Sequence, residues 1–287
     1  MKKGLVLEGG AMRGLFTAGV IDVMMERGLR PDGIIGVSAG AAFGCNYKSH
    51  QPGRCIRYNT RFANDWRYCS LRSWIRTGDL FGGRFCYHEL PRHLDRFDEA
   101  AFEADPMAFY VVCTDVWTGR AVYQQVSRCT EEDYEWFRAS ASMPLVSRVV
   151  DIGVRQLLDG GISDSIPLAY FQQLGFDRNI VVETQPADYV KRRSRLLPLM
   201  RIGLHRYPEL LRAMCSRPDM YNAQKAYVRQ EEQAGRALVI RPDKPLPIGH
   251  ISKDPAEMRR VYGIGRQMGL RRIEEIEQFM NDGVTKQ

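Results

Sequence analysis

The fold is decided by Ile34-Ile35-Gly36-Val37-Ser38-Ala39-Gly40-Ala41-Ala42, where an apolar run meets a serine between two glycines. Branched apolar residues favour a buried strand, and the small residues after Ser38 open a helix. Gly36 and Gly40 permit the close backbone approach that a tight strand–helix turn requires. Such a turn would lift the Ser38 hydroxyl to the carboxyl end of a sheet. The same residues also fit a plain turn in which Ser38 caps the helix.

A second segment, Gly9-Gly10-Ala11-Met12-Arg13-Gly14, lies between an apolar strand at 5–7 and a helical pattern at 15–27. A nucleotide-binding GxGxxG loop would need glycine where Ala11 stands, and no GK[ST] follows. Backbone N–H groups of a glycine-rich turn at a helix start can instead converge on one oxygen. The segment is therefore interpreted as an oxyanion hole.

A third segment, Leu157-Leu158-Asp159-Gly160-Gly161, predicts a strand that ends at an acid followed by two glycines. Active sites of open α/β sheets collect at the carboxyl edge of the strands. Asp159 could aim its carboxylate across that edge, although an aspartate in an ordinary turn has the same pattern.

Strand and helix patterns alternate along the chain. Further strands are predicted at 109–114, 121–123, 154–158, 180–182 and 237–240, and helices at 131–141, at 169–174 and over most of the tail after 207. The pattern indicates an α/β fold with three layers, α/β/α, around a mostly parallel central sheet. Residues 52–105 give no clear pattern, and whether they form a lid is left open.

The 287 residues include 44% apolar and 26% charged types, which excludes a disordered or fibrous protein. No apolar run reaches about 18 residues, so no membrane-spanning helix is expected. The first residues carry too short an apolar stretch for a signal peptide. Seven scattered cysteines without a CxxC pair favour a reducing compartment. These features predict a cytoplasmic protein.

The positive charge lies in the last third of the chain. Residues 1–185 hold 21 basic and 22 acidic side chains, and residues 186–287 hold 20 and 12. We therefore expect a catalytic core over 1–185 and a mostly helical, basic extension over 186–287, packed on that core. The densest charge is at Lys191, Arg192, Arg193, Arg195 and Arg201, around an apolar run at 196–200.

This basic run has two main interpretations. It is either a solvated face or a site of peripheral contact with an anionic membrane at its inner face. Nucleic acid is not expected as a partner, because no nucleic-acid motif accompanies the charge.

The sequence lacks the residue patterns that other catalytic mechanisms require. A Ser-Asp-His order would need a histidine after Asp159, and His205 and His250 have no motif around them. No HExxH or Cys/His spacing appears, so neither a metal nor another cofactor is expected.

The order and spacing of the three segments resemble the patatin-like phospholipase family, in its bacterial type. The resemblance covers roughly residues 4–185, and segments 138–144 and 161–168 support it. One departure is Ala11, where the family usually has a third glycine; the N–H donor survives there. Another is Ser165, where the family often has asparagine.

The resemblance implies a role for each motif. Ser38 would be the nucleophile and Asp159 its base, in a dyad without histidine. The oxyanion hole would comprise Gly9, Gly10, Ala11, Met12, Arg13 and Gly14; the nucleophile elbow, Gly36, Val37, Ala39 and Gly40; and the Asp motif, Gly160 and Gly161.

The implied activity is hydrolysis of a phospholipid, a lysophospholipid or a simpler acyl ester through an acyl-enzyme. Partial burial beside an acyl pocket would raise the pKa of Asp159 towards useful basicity. Two alternatives stay open. A related acyltransferase would usually carry histidine where Val37 stands, and a lipid-binding regulator would not need the Asp159 base.

Overall fold

A computed structural model describes residues 1–281, and its centre is one eight-stranded sheet. The strands are β1 Lys2–Leu7, β2 Gly33–Val37, β3 Ala108–Asp115, β4 Ala121–Gln125, β5 Val150–Ile152, β6 Arg155–Asp159, β7 Phe176–Val182 and β8 Ala237–Ile240. Strands β3, β2, β1, β7 and β8 run parallel in that order. Strands β4 and β6 pair antiparallel with β3, and β5 pairs antiparallel with β6. The expected α/β fold with a mostly parallel sheet is confirmed.

Helices flank this sheet. They are α1 Gly14–Glu26, α2 Ala39–Lys48, α3 Arg54–Phe62, α4 Leu71–Thr77, α5 Glu99–Ala104, α6 Glu131–Ser140, α7 Leu168–Gln173, α8 Leu197–Gly203, α9 Pro208–Gln233, α10 Pro255–Arg271 and α11 Ile273–Asn281. Residues 85–94 form a π-helix. The unassigned stretch 52–105 is therefore mainly helical.

Side chains of the central strands alternate between two cores, because successive residues of a strand point to opposite faces. On β1, Leu5 and Leu7 pack in one core together with α1 and α2. Val6, between them, packs in the other core together with residues of α7 and α9. This alternation produces the predicted three layers.

Helix α1 is buried on nearly all sides, because α10 covers the face that the sheet does not. The two helices approach through glycines. A Cβ on Gly19 would lie 2.2 Å from the Tyr262 carbonyl oxygen, and one on Gly265 would lie 2.0 Å from the Phe16 carbonyl oxygen. The C-terminal third therefore packs directly on the first helix of the core.

Strand β3 brings the Ser38 motif and the Asp159 motif together. Val37, the last residue of β2, pairs with Val112, and Asp159, the last residue of β6, pairs with Cys113. The two strands thus end at consecutive residues of β3, which places Ser38 beside Asp159.

All seven cysteines are free thiols. No helix within residues 1–281 combines the length and the apolar character needed to cross a bilayer.

The close contact between α1 and α10 predicts that Gly→Ala at this contact changes the stability in the direction opposite to the usual one. Gly→Ala inside a helix ordinarily stabilises by up to about 1 kcal/mol. Gly265→Ala should instead destabilise by about 1–3 kcal/mol, because its methyl group would force the helices apart. Urea unfolding monitored by circular dichroism measures the difference.

Gly263→Ala on the same helix is the matched control, since a Cβ there meets no atom within 4 Å. It should show the ordinary stabilisation. Equal effects of the two substitutions would contradict the close packing.

Candidate active site

Ser38 lies in the strained turn between β2 and α2. Its φ is 55° and its ψ is −121°, in a region that side-chain-bearing residues rarely adopt. Both flanking glycines are required by backbone contacts. A Cβ on Gly36 would lie 2.6 Å from the Ala41 Cα, and one on Gly40 would lie 2.3 Å from the Leu7 carbonyl oxygen. Ser38 begins α2 without a side-chain capping bond, so its hydroxyl is free for another partner.

That partner is Asp159. The Ser38 Oγ donates to Asp159 Oδ2 at 2.7 Å, and the amide of Gly161 donates to Asp159 Oδ1 at 2.7 Å. The carboxylate also caps the short 3-10 turn at residues 160–162, so the turn-aspartate interpretation describes it as well. Gly160 is required here, because a Cβ would lie 2.2 Å from the Val112 carbonyl oxygen.

Burial sets the electrostatics of this carboxylate. Asp159 is buried, and desolvation raises its pKa above the ordinary value; the Arg217 charge and the Ser38 hydrogen bond oppose the rise. A carboxylate of raised pKa is a stronger base than an exposed one. The site therefore holds a basic carboxylate against a hydroxyl.

Two further polar side chains hold the pair in place. Ser140 Oγ accepts from the Ser38 amide at 2.8 Å and donates to the Val112 carbonyl at 2.6 Å. Thr114 Oγ1 donates to the Asp159 carbonyl at 2.8 Å. Neither residue belongs to the three sequence motifs, although Ser140 lies in the segment 138–144 that supports the family resemblance. Ser140 ties Ser38 to β3, and Thr114, itself a residue of β3, ties Asp159 to the same strand.

The glycine-rich loop lies against the elbow. A Cβ on Gly9 would lie 3.0 Å from both the Ser38 Cβ and the Val37 carbonyl oxygen. Ala11 has a φ of 49°, so the position where the family usually has glycine keeps a left-handed backbone. Within residues 1–281, no protein acceptor pairs with the amides of Gly10, Ala11 and Met12. These N–H groups are available to an oxygen bound near Ser38.

The end of the loop joins two helices. The Arg13 amide donates to the Gly10 carbonyl at 3.1 Å. Gly14 lies close to α2, because a Cβ there would be 2.8 Å from the Ala39 Cβ. The loop is thus fixed by packing of α1 on α2.

An apolar cavity of about 130 Å³ opens beside Ser38. Its lining includes Met12, Phe43, Phe81, Tyr87, Leu90 and Phe137. Much of the wall comes from residues 54–97, within the stretch 52–105 whose structure the sequence pattern does not predict. Such a cavity suits an alkyl chain.

Within residues 1–281, no histidine hydrogen-bonds to Ser38 or Asp159. His250 Nε2 lies 2.9 Å from Arg13 Nη1, and His205 Nδ1 lies 2.9 Å from the Ile202 carbonyl oxygen. His50 and His88 pair with acids elsewhere, Asp105 and the α6 glutamates. Among the described residues, Ser38 Oγ has Asp159 as its hydrogen-bond partner.

The basic run after β7 divides into two parts. Lys191 is half-buried, with its Nζ 4.4 Å above the Tyr221 ring. Arg192, Arg193, Arg195 and Arg201 are exposed.

Two family models together match most of this chain. The model described as patatin-like phospholipase matches residues 5–171. A second model, described as a domain of unknown function (DUF6363), matches residues 207–281.

Similar proteins include one with nearly the same extent. The uncharacterized protein YjjU of Escherichia coli K12 is 29% identical over 92% of this chain and 75% of its own length. Lysophospholipase NTE1 of Chaetomium globosum is 27% identical, and lysophospholipase nte1 of Emericella nidulans is 29% identical. Each of these two alignments covers 64% of this chain but only 12% of the relative.

Among solved structures, VipD from Legionella pneumophila aligns with a TM-score of 0.46 and 12% identity. The alignment covers 96% of this chain and 67% of VipD.

The backbone strain at Ser38 can be measured by comparing two substitutions. Ser38→Ala and Ser38→Gly both remove the hydrogen bond to Asp159, but only glycine tolerates the observed φ and ψ without strain. We expect the glycine variant to unfold with a free energy about 1 kcal/mol higher than the alanine variant, by urea denaturation.

Ser216, exposed within α9, provides the control pair. There the alanine variant should be the more stable one, by up to about 1 kcal/mol. The same order at both positions would argue against strain at Ser38.

Proposed function

Because this chain belongs to the patatin-like phospholipase family, we propose that it hydrolyses carboxylic esters of lipids through Ser38 and Asp159. The observation that carries the proposal is the 2.7 Å hydrogen bond from Ser38 Oγ to Asp159 Oδ2. It joins two residues that lie far apart in the sequence, beneath a loop of unpaired amides and beside an apolar cavity.

The first half of the reaction transfers the acyl group to Ser38. Asp159 takes the hydroxyl proton while Ser38 Oγ bonds to the ester carbonyl carbon. The carbonyl oxygen becomes an oxyanion that the amides of Gly10, Ala11 and Met12 stabilise. When the intermediate collapses, the ester C–O bond breaks and Asp159 returns the proton to the leaving alkoxide. The products are an alcohol and an acyl-serine.

The second half uses water. Asp159 takes a proton from a water molecule, whose oxygen attacks the acyl carbon. Collapse of the second oxyanion breaks the bond to Ser38 Oγ, and the proton returns to that oxygen. The fatty acid leaves, and Ser38 regains its hydrogen bond to Asp159.

The cavity supports the lipid substrate class. Its apolar wall begins at Ala11, Met12 and Ser38, so an acyl chain lying in it would present its carbonyl carbon to Ser38. The two fungal relatives are named lysophospholipases, which agrees with this class. We therefore propose a phospholipid, a lysophospholipid or a simpler acyl ester as substrate.

Activity-based labelling tests the nucleophile and the base. Wild type should react with a fluorophosphonate probe and hydrolyse p-nitrophenyl esters. Ser38→Ala should lose both signals, because it lacks the oxygen that attacks. Asp159→Asn should lower kcat/KM by about 10²–10⁴-fold, because the amide cannot accept the proton.

Asp164→Asn is the matched control for the base. Asp164 is also buried, but Tyr123 and Gln224 hold its carboxylate away from Ser38. Wild-type rates in Asp159→Asn together with loss of activity in His250→Ala would refute the dyad and favour a triad. Release of free fatty acid, rather than transfer to an added alcohol or thiol, separates hydrolase from acyltransferase.

We also propose that the protein contacts anionic membranes, as a cytoplasmic protein at the inner face. Helix α8 supports this contact. Leu196, Leu199 and Ile202 are exposed by 55%, 55% and 73%. The opposite side, with Leu197 and Met200, packs on the protein. With the exposed arginines of 192–201, this face combines the apolar and basic groups that bind an anionic bilayer surface.

Helix α4 presents a second exposed apolar face, formed by Leu71, Trp74 and Ile75. Both helices adjoin the segment 142–148, part of which lines the cavity. On one side the Leu80 amide, shortly after α4, donates to the Val146 carbonyl at 2.7 Å. On the other, a Cβ on Gly203 of α8 would lie 2.6 Å from Leu145 Cδ2. A bilayer that touches both helices would therefore lie close to the cavity.

Vesicle co-sedimentation tests the electrostatic part of this contact. The double variant Arg193→Gln/Arg195→Gln should reduce partitioning onto phosphatidylserine-containing vesicles by about 30-fold, because each basic residue near the surface contributes about 1 kcal/mol. Binding should also weaken as salt increases.

The control is Arg259→Gln/Arg260→Gln, which removes the same charge from exposed positions on α10. Equal loss from both double variants, or equal wild-type binding to neutral vesicles, would exclude a specific role for the α8 arginines.

A further inference from the structure

Three cationic side chains surround the Ser38–Asp159 pair, and each comes from a different part of the chain. Arg13 ends the short 3-10 turn after β1, Lys191 follows β7, and Arg217 lies on α9. We call these three residues the cation cluster. Lys191 and Arg217 lie outside residues 5–171, which the patatin-like model matches.

Arg217 adjoins the Asp motif. Its Nε donates to the Gly161 carbonyl at 2.5 Å. A Cβ built on Gly161 would lie 3.2 Å from Arg217 Nη2 and 3.1 Å from Asp159 Oδ1. The guanidinium and the carboxylate thus flank the same small space.

Lys191 lies over the next turn of α9. Its Nζ is 4.4 Å above the ring of Tyr221, four residues after Arg217 and therefore on the same helix face. The Lys191 backbone is held by Asn222, whose side chain accepts from the Lys191 amide at 2.9 Å and donates to its carbonyl at 3.1 Å. The ammonium group is therefore fixed near Arg217.

Arg13 approaches from the glycine-rich loop. One guanidinium nitrogen, Nη1, lies 2.9 Å from His250 Nε2, while its Nε is buried without a hydrogen-bond partner. Desolvation and the charges of Arg13, Lys191 and Arg217 lower the pKa of His250 to about 4. The imidazole is thus neutral near pH 7 and accepts the hydrogen bond from Arg13.

The positive charge of the cluster is not neutralised by ion pairs. Within residues 1–281, Arg13, Lys191 and Arg217 form no ion pair with a carboxylate. The neighbouring acids are Asp159 and Glu8. Glu8 accepts from Tyr221 and from the Thr184 amide. Desolvation and the Arg217 charge lower the pKa of Lys191 to about 8, although Glu8 and Asp159 oppose this shift.

We propose that Arg13, Lys191 and Arg217 bind the phosphate of the substrate headgroup while the acyl chain occupies the apolar cavity. This inference rests on the proposed lipid ester hydrolysis and specifies its substrate as a phosphate-bearing lipid. Guanidinium and ammonium groups are the usual partners of phosphate. The C-terminal third would then complete the substrate site. Arg217 lies within residues 207–281, which match the domain of unknown function.

The test compares two monomeric substrates with the same short acyl chain, a lysophospholipid and a neutral monoacylglycerol, both below their micellar concentrations. Wild type should prefer the lysophospholipid in kcat/KM. Lys191→Gln should reduce that preference by about tenfold or more, the loss expected for a hydrogen bond to a charged group. Lys191→Arg should restore most of it.

Lys244→Gln is the matched control, because it removes an exposed lysine from the loop after β8. It should keep the wild-type preference. Equal losses on both substrates in Lys191→Gln, or no wild-type preference, would overturn the headgroup assignment while leaving ester hydrolysis intact.

A binding measurement does not depend on turnover, and its wild-type part needs no variant. Glycerol 3-phosphate and inorganic phosphate are titrated into wild type by calorimetry. Tighter binding of glycerol 3-phosphate, weakened in Lys191→Gln, supports a lipid headgroup. Equal binding of both anions without a substrate preference would indicate a free-phosphate site, and binding of neither would refute the anion site. If wild type hydrolyses neither ester, the proposed function fails and this titration still decides the anion site.

Discussion

The hydrogen bond between Ser38 and Asp159 depends on strand β3. Val37 and Asp159 pair with consecutive residues of β3, Val112 and Cys113, so one strand sets the positions of both motifs. A slip of one residue in either pairing would turn the side chain to the opposite face. Ser140 and Thr114 add hydrogen bonds that tie the two ends to this strand. The rigid sheet thereby holds two groups that a flexible chain would bring together only rarely.

Burial of the carboxylate imposes a second constraint. A buried charge is costly unless donors surround it, and Asp159 has the Ser38 hydroxyl, the Gly161 amide and the nearby Arg217. Desolvation raises the pKa of Asp159, and these partners oppose that rise. In the proposed reaction, a carboxylate of raised pKa is a stronger base than an exposed one.

The strands, helices and tight turns that a local residue pattern encodes could be predicted from the sequence. The strands around Val37 and Leu158 and the helix after Gly14 were recognisable because apolar periodicity and glycine positions are local signals. The glycines at 36, 40 and 160 could be interpreted as turn residues, and the structure shows backbone contacts at each. The geometry of Ser38 and Asp159 was an expectation from family resemblance, since spacing alone cannot say that β2 and β6 meet β3 side by side.

Other features depend on contacts between distant segments, which periodicity does not encode. Several apolar residues of 52–105, among them Phe81, Leu90 and Phe97, line the cavity, and a local pattern does not encode that placement. The positions of Lys191 and Arg217 depend on how α9 crosses the sheet. From the sequence, Lys191 belonged to the same basic run as Arg192 and Arg193, yet the Tyr221 ring and the Asn222 side chain hold it at the site while its neighbours face solvent.

The C-terminal third contacts the core in two places. Strand β8 extends the sheet beside β7, and α10 packs on α1 through Gly19 and Gly265. Helix α9 lies between β7 and β8 in the sequence, so the pairing of these two strands limits how far it can move. Because α1 begins directly after the glycine-rich loop, the same packing connects the C-terminal third to the amides near Ser38. A change in the fit of α10 on α1 would therefore act on the helix that begins directly after the glycine-rich loop.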